Sequence, residues 1–433
     1  MATGATNTHA SNHEEITLHP EQLAGVVIMS QTAEYFSIFA FAIASALIFP
    51  QVFFPNYEPI IGTLLSFAVF SLAFISRSFS RFLFRRIDRR VGRAAKITVA
   101  MFVFGGSTMC IGFLPGYESI GIIAPILLCV FRAGQGFGLG GSWDGLPIIM
   151  MLNSPKHKES WFSMMPQIGA LAGFFIAASI FYVLTEYLTP EELVDFGWRF
   201  PFFVVLAMQV VALFARLRLI DTPEYENMVE HHELRGSSVR KIFKFHWKQL
   251  VLSIYMPLTG YALFHLMSIY PMGYIALNGG LDIPKLLTMQ MAGAAVAIVT
   301  CILSGILGDR VGRRHLRVVV TILVGILSFN MHSLIENTWM YLMIGFALLG
   351  FSFGQSTGTL PHRFKQEYRY TAVSVSNDIS WLFGAAFAPI FAMGLTHYFG
   401  IEYAGYYLLS GVLATLLALL IVDHMNKVGT EEH

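Results

Sequence analysis

Charged residues are scarce in this chain, since only 13% of its 433 residues are Asp, Glu, Lys or Arg. Ordinary soluble domains carry about 25% charged residues, and apolar residues make up about half of them. Here apolar residues reach 55% and the mean hydropathy is +0.60, which excludes an ordinary soluble protein. The composition therefore predicts a polytopic membrane protein.

Cysteine is also rare. The three cysteines, Cys110, Cys129 and Cys301, all fall inside apolar runs. Such cysteines are typical small packing residues, so the sequence predicts neither a disulfide framework nor a metal site.

The motifs of common enzymes are missing as well. We find no His-Glu-x-x-His and no Ser-His-Asp arrangement within one soluble region. The glycine-rich string Gly134 to Gly141 is not a nucleotide loop, because no strand precedes it and no soluble domain surrounds it. The sequence therefore predicts a protein that is not an enzyme, is not driven by nucleotide hydrolysis, and has no cofactor and no nucleic-acid partner.

Long apolar runs are abundant instead. A helix that crosses about 30 Å of hydrocarbon needs roughly 20 mostly apolar residues, and about twelve such runs can be placed. They begin near Ala24, Pro59, Lys96, Gly121, Trp161, Phe200, Leu250, Leu286, Arg317, Met340, Tyr370 and Glu402.

Lys and Arg lie in alternate loops, after runs two, four, six, eight and ten. The loops 51–58, 114–120 and 277–283 contain none. By the positive-inside rule both termini are cytoplasmic. The predicted organisation is a tail (1–23), a six-helix bundle (24–220), a linker (221–248), a second six-helix bundle (249–424) and a tail (425–433).

One charged loop, Gly305 to Arg314, joins the eighth and ninth runs. A faint copy, Arg85 to Arg93, lies 220 positions earlier, so the simplest account is one multi-helix unit used twice. The acids and arginines can form ion pairs across the helix ends. A protein whose bundles rock could form and break these pairs, which would then act as a latch. The residues that we predict to act in gating are Asp88, Arg93, Gly305, Asp309, Arg310, Gly312 and Arg313.

Further motifs extend over nearly the whole chain. They include Glu34-Tyr35, Arg132-Ala133-Gly134-Gln135-Gly136, Gly197-Trp198-Arg199-Phe200-Pro201 and Asp221-Thr222-Pro223. Together with the two charged loops they resemble the major facilitator superfamily, and within it the metabolite:proton symporter branch. The resemblance implies an all-α fold of twelve transmembrane helices in two six-helix bundles around a central cavity. It also implies alternating access, with a small organic solute moved alongside a proton.

The chain departs from that branch at several positions. Ser37 and Ser142 stand where the branch usually has Asp and Glu. In the first loop Arg85 and Arg89 replace the signature's Gly and Asp, which leaves Asp88 one place early. Loss of two familiar acids puts the usual proton relay in question.

Ionisable side chains inside the apolar runs are the main functional candidates, because each is costly unless it faces a cavity or a partner. Glu34 and Asp144 are the predicted proton carriers, since burial disfavours a charged carboxylate. The alternative for each is an ionised acid that fixes an Arg on a neighbouring helix. Arg132 is the first candidate for substrate contact, because a guanidinium can hold a carboxylate through two parallel bonds. Its alternative is neutralisation by Glu34.

Other candidates come from the resemblance, from the internal repeat or from the aromatic seventh run. The further predicted substrate-binding residues are Tyr35, Arg77, Gln135, Gln167, Tyr261 and Asp378. For Asp378 a cap on the cytoplasmic gate is the alternative. His265 and His332 titrate near neutral pH if water reaches them, but a lone His in an apolar run is more often satisfied by a nearby helix.

Three functional hypotheses remain open. The first is a monomeric secondary transporter in the lipid bilayer of the bacterial inner membrane. It moves a small anionic or zwitterionic metabolite together with protons. The second is an exporter of a metabolite or of a carboxylate-rich chelator. The third is a transport-dead sensor or scaffold, which the loss of acids at Ser37 and Ser142 motivates and the retained Glu34 and Arg132 oppose.

Overall fold

The computed structural model describes residues 20–142, 148, 150, 154–220, 237–356 and 364–431. These residues are almost all helical, and twelve long helices among them are numbered here in chain order. The bounds are α1 Pro20–Leu47, α2 Pro59–Val91, α3 Arg93–Phe113, α4 Ile123–Gly141, α5 Glu159–Tyr187, α6 Phe200–Ile220, α7 Trp247–Tyr255 with Leu258–Asn278, α8 Ile283–Leu307, α9 Arg313–Ser328, α10 Thr338–Gly354, α11 Gln366–Trp381 with Leu382–Ala386 and Ala388–Phe399, and α12 Glu402–Glu431.

Each helix begins within four residues of the start predicted from the apolar runs. Ten helical segments of the described chain are long and apolar enough to cross a membrane, and one of them, Ile283–Ser328, contains both α8 and α9. The shorter Thr338–Gly354 is α10. The predicted all-α fold with twelve membrane-spanning helices is therefore confirmed.

The helices pack in two matched bundles. In the first bundle α1 packs on α5, α2 on α4, and α3 on α6. In the second bundle the corresponding pairs are α7 with α11, α8 with α10, and α9 with α12. The bundles meet chiefly along α5 with α8 and along α2 with α11, which are again corresponding pairs. One helical unit used twice accounts for this symmetry. The residue boundaries that we predict for the bundles remain a prediction.

Glycines allow the closest of these contacts. A Cβ added at Gly136 of α4 would lie 2.1 Å from the backbone oxygen of Ala73 on α2. The equivalent crossing in the second bundle depends on Gly350 of α10, where a Cβ would lie 2.3 Å from the oxygen of Ala297 on α8. Small residues let membrane helices approach this closely, so packing explains these glycines.

The described residues line a cavity between the bundles at each of the two ends. The basic end is the one that holds the α2–α3 and α8–α9 loops, and its cavity of about 220 Å³ is lined by Arg85, Asp88, Tyr370 and Asp378 among others. The helix Val239–Phe245 forms part of its wall and buries Ile242. The cavity at the opposite end measures about 950 Å³, and its charged lining residues are Glu186, Asp282 and Lys285.

Candidate functional site

An aromatic layer fills the centre of the molecule between the two cavities. The ring of Trp381 on α11 lies 5.5 Å from Tyr35 of α1 and 4.4 Å from Tyr261 of α7, measured between centroids. Phe74 of α2 stacks on the same Trp381 at 6.1 Å. The side chains come from both bundles and are all buried, so the passage is closed at its middle in this conformation.

Arg132 lies beside this layer and is 1% exposed. Its Nε donates to the backbone oxygen of Phe70 at 3.2 Å, and its Nη1 donates to Oε1 of Gln135 at 2.8 Å. The guanidinium also covers the ring of Phe41, 4.0 Å from the centroid. Its Nη2 has no hydrogen-bond partner among the described residues. The predicted contact residue Gln135 therefore positions Arg132, and is itself held by a bond from its Nε2 to Oγ1 of Thr108 at 2.7 Å.

His265 of α7 lies at the same level and is fully buried. Its ring lies 5.4 Å from that of Phe70, which also covers Arg132. Within the described part of the chain neither imidazole nitrogen has a hydrogen-bond partner. The expectation that a nearby helix would satisfy His265 is therefore wrong, because its described neighbours there are aromatic rings. His332, in contrast, lies at the surface beside Glu336 and Glu402.

Arg77 and Asp378 form an ion pair between the bundles. Nε of Arg77 on α2 lies 2.9 Å from Oδ1 of Asp378 on α11, and both side chains are at least nine-tenths buried. One residue before Asp378, Asn377 accepts a hydrogen bond of 2.6 Å from the Tyr261 hydroxyl. Of the remaining predicted binding residues, Tyr35 belongs to the aromatic layer and Gln167 is buried on α5.

Glu34 is paired with Arg216 of α6 and not with Arg132. The Ser142 hydroxyl donates to the same Glu34 oxygen at 3.2 Å, and Nη1 of Arg216 donates to the Ser142 backbone oxygen at 3.1 Å. Neutralisation of Arg132 by Glu34, one of the alternatives from the sequence, is therefore wrong. The second predicted proton carrier, Asp144, lies outside the described residues.

The α8–α9 loop binds the start of α5 at the basic end. The Asp309 carboxylate accepts hydrogen bonds from the backbone nitrogens of Ser160 and Trp161, at 2.8 and 3.1 Å. It thus caps the helix N-terminus, where a negative charge is favoured. Arg313 pairs with Glu159, the first residue of α5. These contacts join the second bundle to the first, and their role in gating remains a prediction.

The glycines of this loop keep it close to α5. A Cβ at Gly305 would lie 2.9 Å from Cγ of Met164, and Gly312 has a φ of +94° that disfavours other residues. Arg310 is exposed. In the first loop Nε of Arg93 lies 3.8 Å from Oδ1 of Asp88, so this pair stays within one bundle. The Arg93 guanidinium also lies over the ring of Tyr370 on α11, 5.8 Å from the centroid, so the first loop contacts the second bundle as well.

Arg216 is the functional candidate that sequence reasoning missed. In the sequence it is one of the basic residues that follow the sixth apolar run, but the side chain is 2% exposed and pairs with Glu34. Its position four residues before the end of an apolar helix is a signal that could have identified it, because a charge there is costly without a partner. Trp381, which contacts both bundles, was also missed, and the sequence holds no evident signal for it.

Comparisons with known proteins agree with this architecture. Residues 122–381 match the sequence profile described as Major Facilitator Superfamily. The inner membrane metabolite transport protein YhjE of Escherichia coli (strain K12) is 33% identical over 97% of this chain and 98% of its own length. The shikimate transporter of the same organism is 25% identical over 93% of each chain. The crystal structure of a D-xylose-proton symporter shares the fold, with a TM-score of 0.69 and 15% identity over 92% of this chain and 96% of that one.

Two matched six-helix bundles, with buried charges and aromatic side chains between them, define a multi-pass membrane transport protein. The chain belongs to the Major Facilitator Superfamily, and it is a secondary transporter. The resemblance seen in the sequence motifs is confirmed at this level.

Proposed function

We propose that the protein imports a small organic anion or zwitterion across the inner bacterial membrane by alternating access, together with protons. Both termini are cytoplasmic in this proposal, so the basic end faces the cytoplasm. The observation that carries the substrate class is Arg132. It is deeply buried, no described carboxylate is paired with it, and one of its guanidinium nitrogens has no described partner.

A buried cation without an acid is costly, which favours an anionic ligand that approaches it. Two other buried arginines of the described interior, Arg77 and Arg216, each have a carboxylate, and a third, Arg317, donates to the backbone oxygen of Gln355. The named relatives point to similar solutes. One is a shikimate transporter, and another, of Dickeya dadantii (strain 3937), is a glycine betaine/proline/ectoine/pipecolic acid transporter with 28% identity over 87% of this chain.

Alternating access uses the cavities at the two ends. With the centre and the basic end held by contacts between bundles, the larger cavity at the opposite end is the entry from outside. Opening towards the cytoplasm then requires the Arg77–Asp378 pair and the Asp309 cap to separate. The inward-open and outward-open states differ in which of these contacts between the bundles are formed. A ligand that binds one of the two states more tightly shifts the protein towards that state.

Proton coupling is assigned to Glu34. Its protonation would weaken the bonds from Arg216 and Ser142 and so change how α1 packs on α6. The Glu34→Gln variant mimics the protonated acid. We expect it to exchange solute across vesicles without accumulating it against a gradient.

The experiment uses the purified protein in proteoliposomes with shikimate, proline and glycine betaine as labelled solutes. An inward proton gradient should drive accumulation of at least one of them, and an uncoupler should abolish it. Arg132→Gln should lose both accumulation and exchange, while Glu34→Gln should lose accumulation only. Transport by Arg132→Gln at the unaltered rate would contradict the proposed site, and accumulation that survives the uncoupler would contradict coupling to protons.

A further inference from the structure

The inference concerns His265, which no part of the proposed mechanism uses so far. It rests on the proposed function, because it concerns the same central site. His265 is fully buried, yet both of its ring nitrogens are without a described hydrogen-bond partner. Burial of an imidazole without hydrogen bonds is unfavourable. We therefore expect His265 to have a hydrogen-bond partner that the described residues of the closed conformation do not supply.

The surroundings of His265 show where that partner would lie. Although His265 belongs to α7 of the second bundle, its ring stacks on Phe39 of α1 at 5.8 Å and lies near Phe70 and Phe74 of α2, at 5.4 and 6.4 Å. It thus projects across the boundary between the bundles. When the bundles rock apart, these rings of the first bundle separate from it, and the imidazole faces the opened passage.

Arg132 contacts the same ring of Phe70 from within the first bundle. Its Cζ lies 4.9 Å from the centroid of Phe70, the same ring that contacts His265. The unpartnered Nη2 of Arg132 and the unpartnered nitrogens of His265 therefore lie on opposite bundles and share one aromatic neighbour.

We infer that His265 is the second bundle's polar contact to the bound solute, opposite Arg132, and that the solute is a monocarboxylate with a separate hydrogen-bonding group. Arg132 takes the carboxylate, and His265 takes a hydroxyl, amide or amine of the same molecule. One unpaired cation balances one negative charge, so a second carboxylate would be left uncompensated. Apolar faces of the solute pack on Phe39, Phe70 and Phe74.

The first test needs no substrate. In a background with Cys110, Cys129 and Cys301 replaced by Ala, His265→Cys is compared with Met267→Cys. Both positions are fully buried, but Met267 faces its own bundle, where its Sδ would lie 2.0 Å from a Cβ at Gly345. A small methanethiosulfonate reagent should modify the cysteine at 265 as the transporter cycles and leave that at 267 intact. Equal reactivity at the two positions, whether high or low, would overturn the inference.

The second test measures binding by thermal shift with two probes, shikimate and proline, each of which carries one carboxylate and a separate hydrogen-bonding group. At least one should raise the unfolding temperature of the unaltered protein, because a ligand of the native state stabilises it. His265→Phe, which keeps the ring and removes the nitrogens, should weaken the binding about tenfold, as expected for one hydrogen bond. His265→Gln should recover part of it. Absence of any shift, or unchanged binding by His265→Phe, would overturn the inference.

The two proposals can fail separately. Transport that is lost in Arg132→Gln but normal in His265→Phe leaves the proposed function in place and removes this inference. If His265→Phe does not fold, His265→Gln and the cysteine comparison still decide the matter, because neither introduces a larger side chain.

Discussion

Arg77 of α2 and Asp378 of α11 form a buried ion pair that joins the two bundles at the wall of the cavity at the basic end. Both lie in the interior, so separating them leaves two charges that need water. Opening of this end must therefore be coupled to hydration of the pair.

The first prediction follows from that pair. Asp378→Asn should weaken closure of the basic end, so a cysteine in place of Ser374, which lines the adjoining cavity, should react faster with a soluble thiol reagent. We expect a rise of about tenfold, which corresponds to about 1.4 kcal/mol lost from the closed state. The measurement is the rate of modification in the cysteine-free background.

The control for this prediction is Asp423→Asn. Asp423 of α12 pairs with Arg314 of α9 at 2.7 Å, within the second bundle, and so does not join the bundles. Its loss should leave the reactivity at position 374 unchanged. Equal effects of the two substitutions would show that the Arg77–Asp378 pair has no particular role in closure.

The second prediction concerns Arg216. Arg216→Met should leave Glu34, whose side chain is 13% exposed, without its cation, and the cost should approach the value of about 3–5 kcal/mol for loss of one partner of a fully buried pair. The unfolding temperature in detergent should fall accordingly. The double variant Glu34→Gln with Arg216→Met should recover part of the loss, because no uncompensated charge remains. Arg218→Met, two positions on and exposed, should change little. A double variant no more stable than Arg216→Met would refute the pairing.

The third prediction concerns the cap on α5. Asp309→Ala removes two hydrogen bonds to the first turn of that helix, and loss of such a cap costs about 0.5–2 kcal/mol. We expect a lower unfolding temperature for this variant. Asp282→Ala is the matched control, because Asp282 precedes α8 at its N-terminus but makes no capping hydrogen bond with its side chain. The cap would have no measurable energetic role if the two variants melted alike.

The fourth prediction concerns helix packing. Gly136→Ala places a methyl group against the backbone oxygen of Ala73, so α2 and α4 must move apart and the protein should be destabilised. Overpacking of this kind typically costs about 1–3 kcal/mol. Gly106→Ala on α3 meets nothing within 4 Å, and it should be neutral or slightly stabilising because Ala favours helices. Thermal unfolding of the two variants in the same detergent tests the difference, and similar melting would count against the close crossing.

Much of the fold followed from local sequence. Apolar runs of membrane length and the alternation of basic loops placed every helix start within four residues, and the repeat of Arg90-Val91-Gly92-Arg93 at Arg310 indicated two matched units. These signals are readable because membrane insertion depends on the composition of each segment alone. A gating role for Asp309 remains a prediction, and the sequence did not indicate that its carboxylate contacts the start of α5.

The partners of the buried charges required the tertiary structure. Arg77 and Asp378 lie 301 positions apart in the sequence, and Glu34 and Arg216 lie 182 apart. The sequence shows that each is costly in a membrane, yet the rotation and contact of the helices determine which opposite charge each one reaches. The same packing leaves Arg132 without an acid and His265 without a hydrogen-bond partner among the described residues. Composition determined that this is a membrane protein, whereas helix packing determined which polar groups remain to meet a solute.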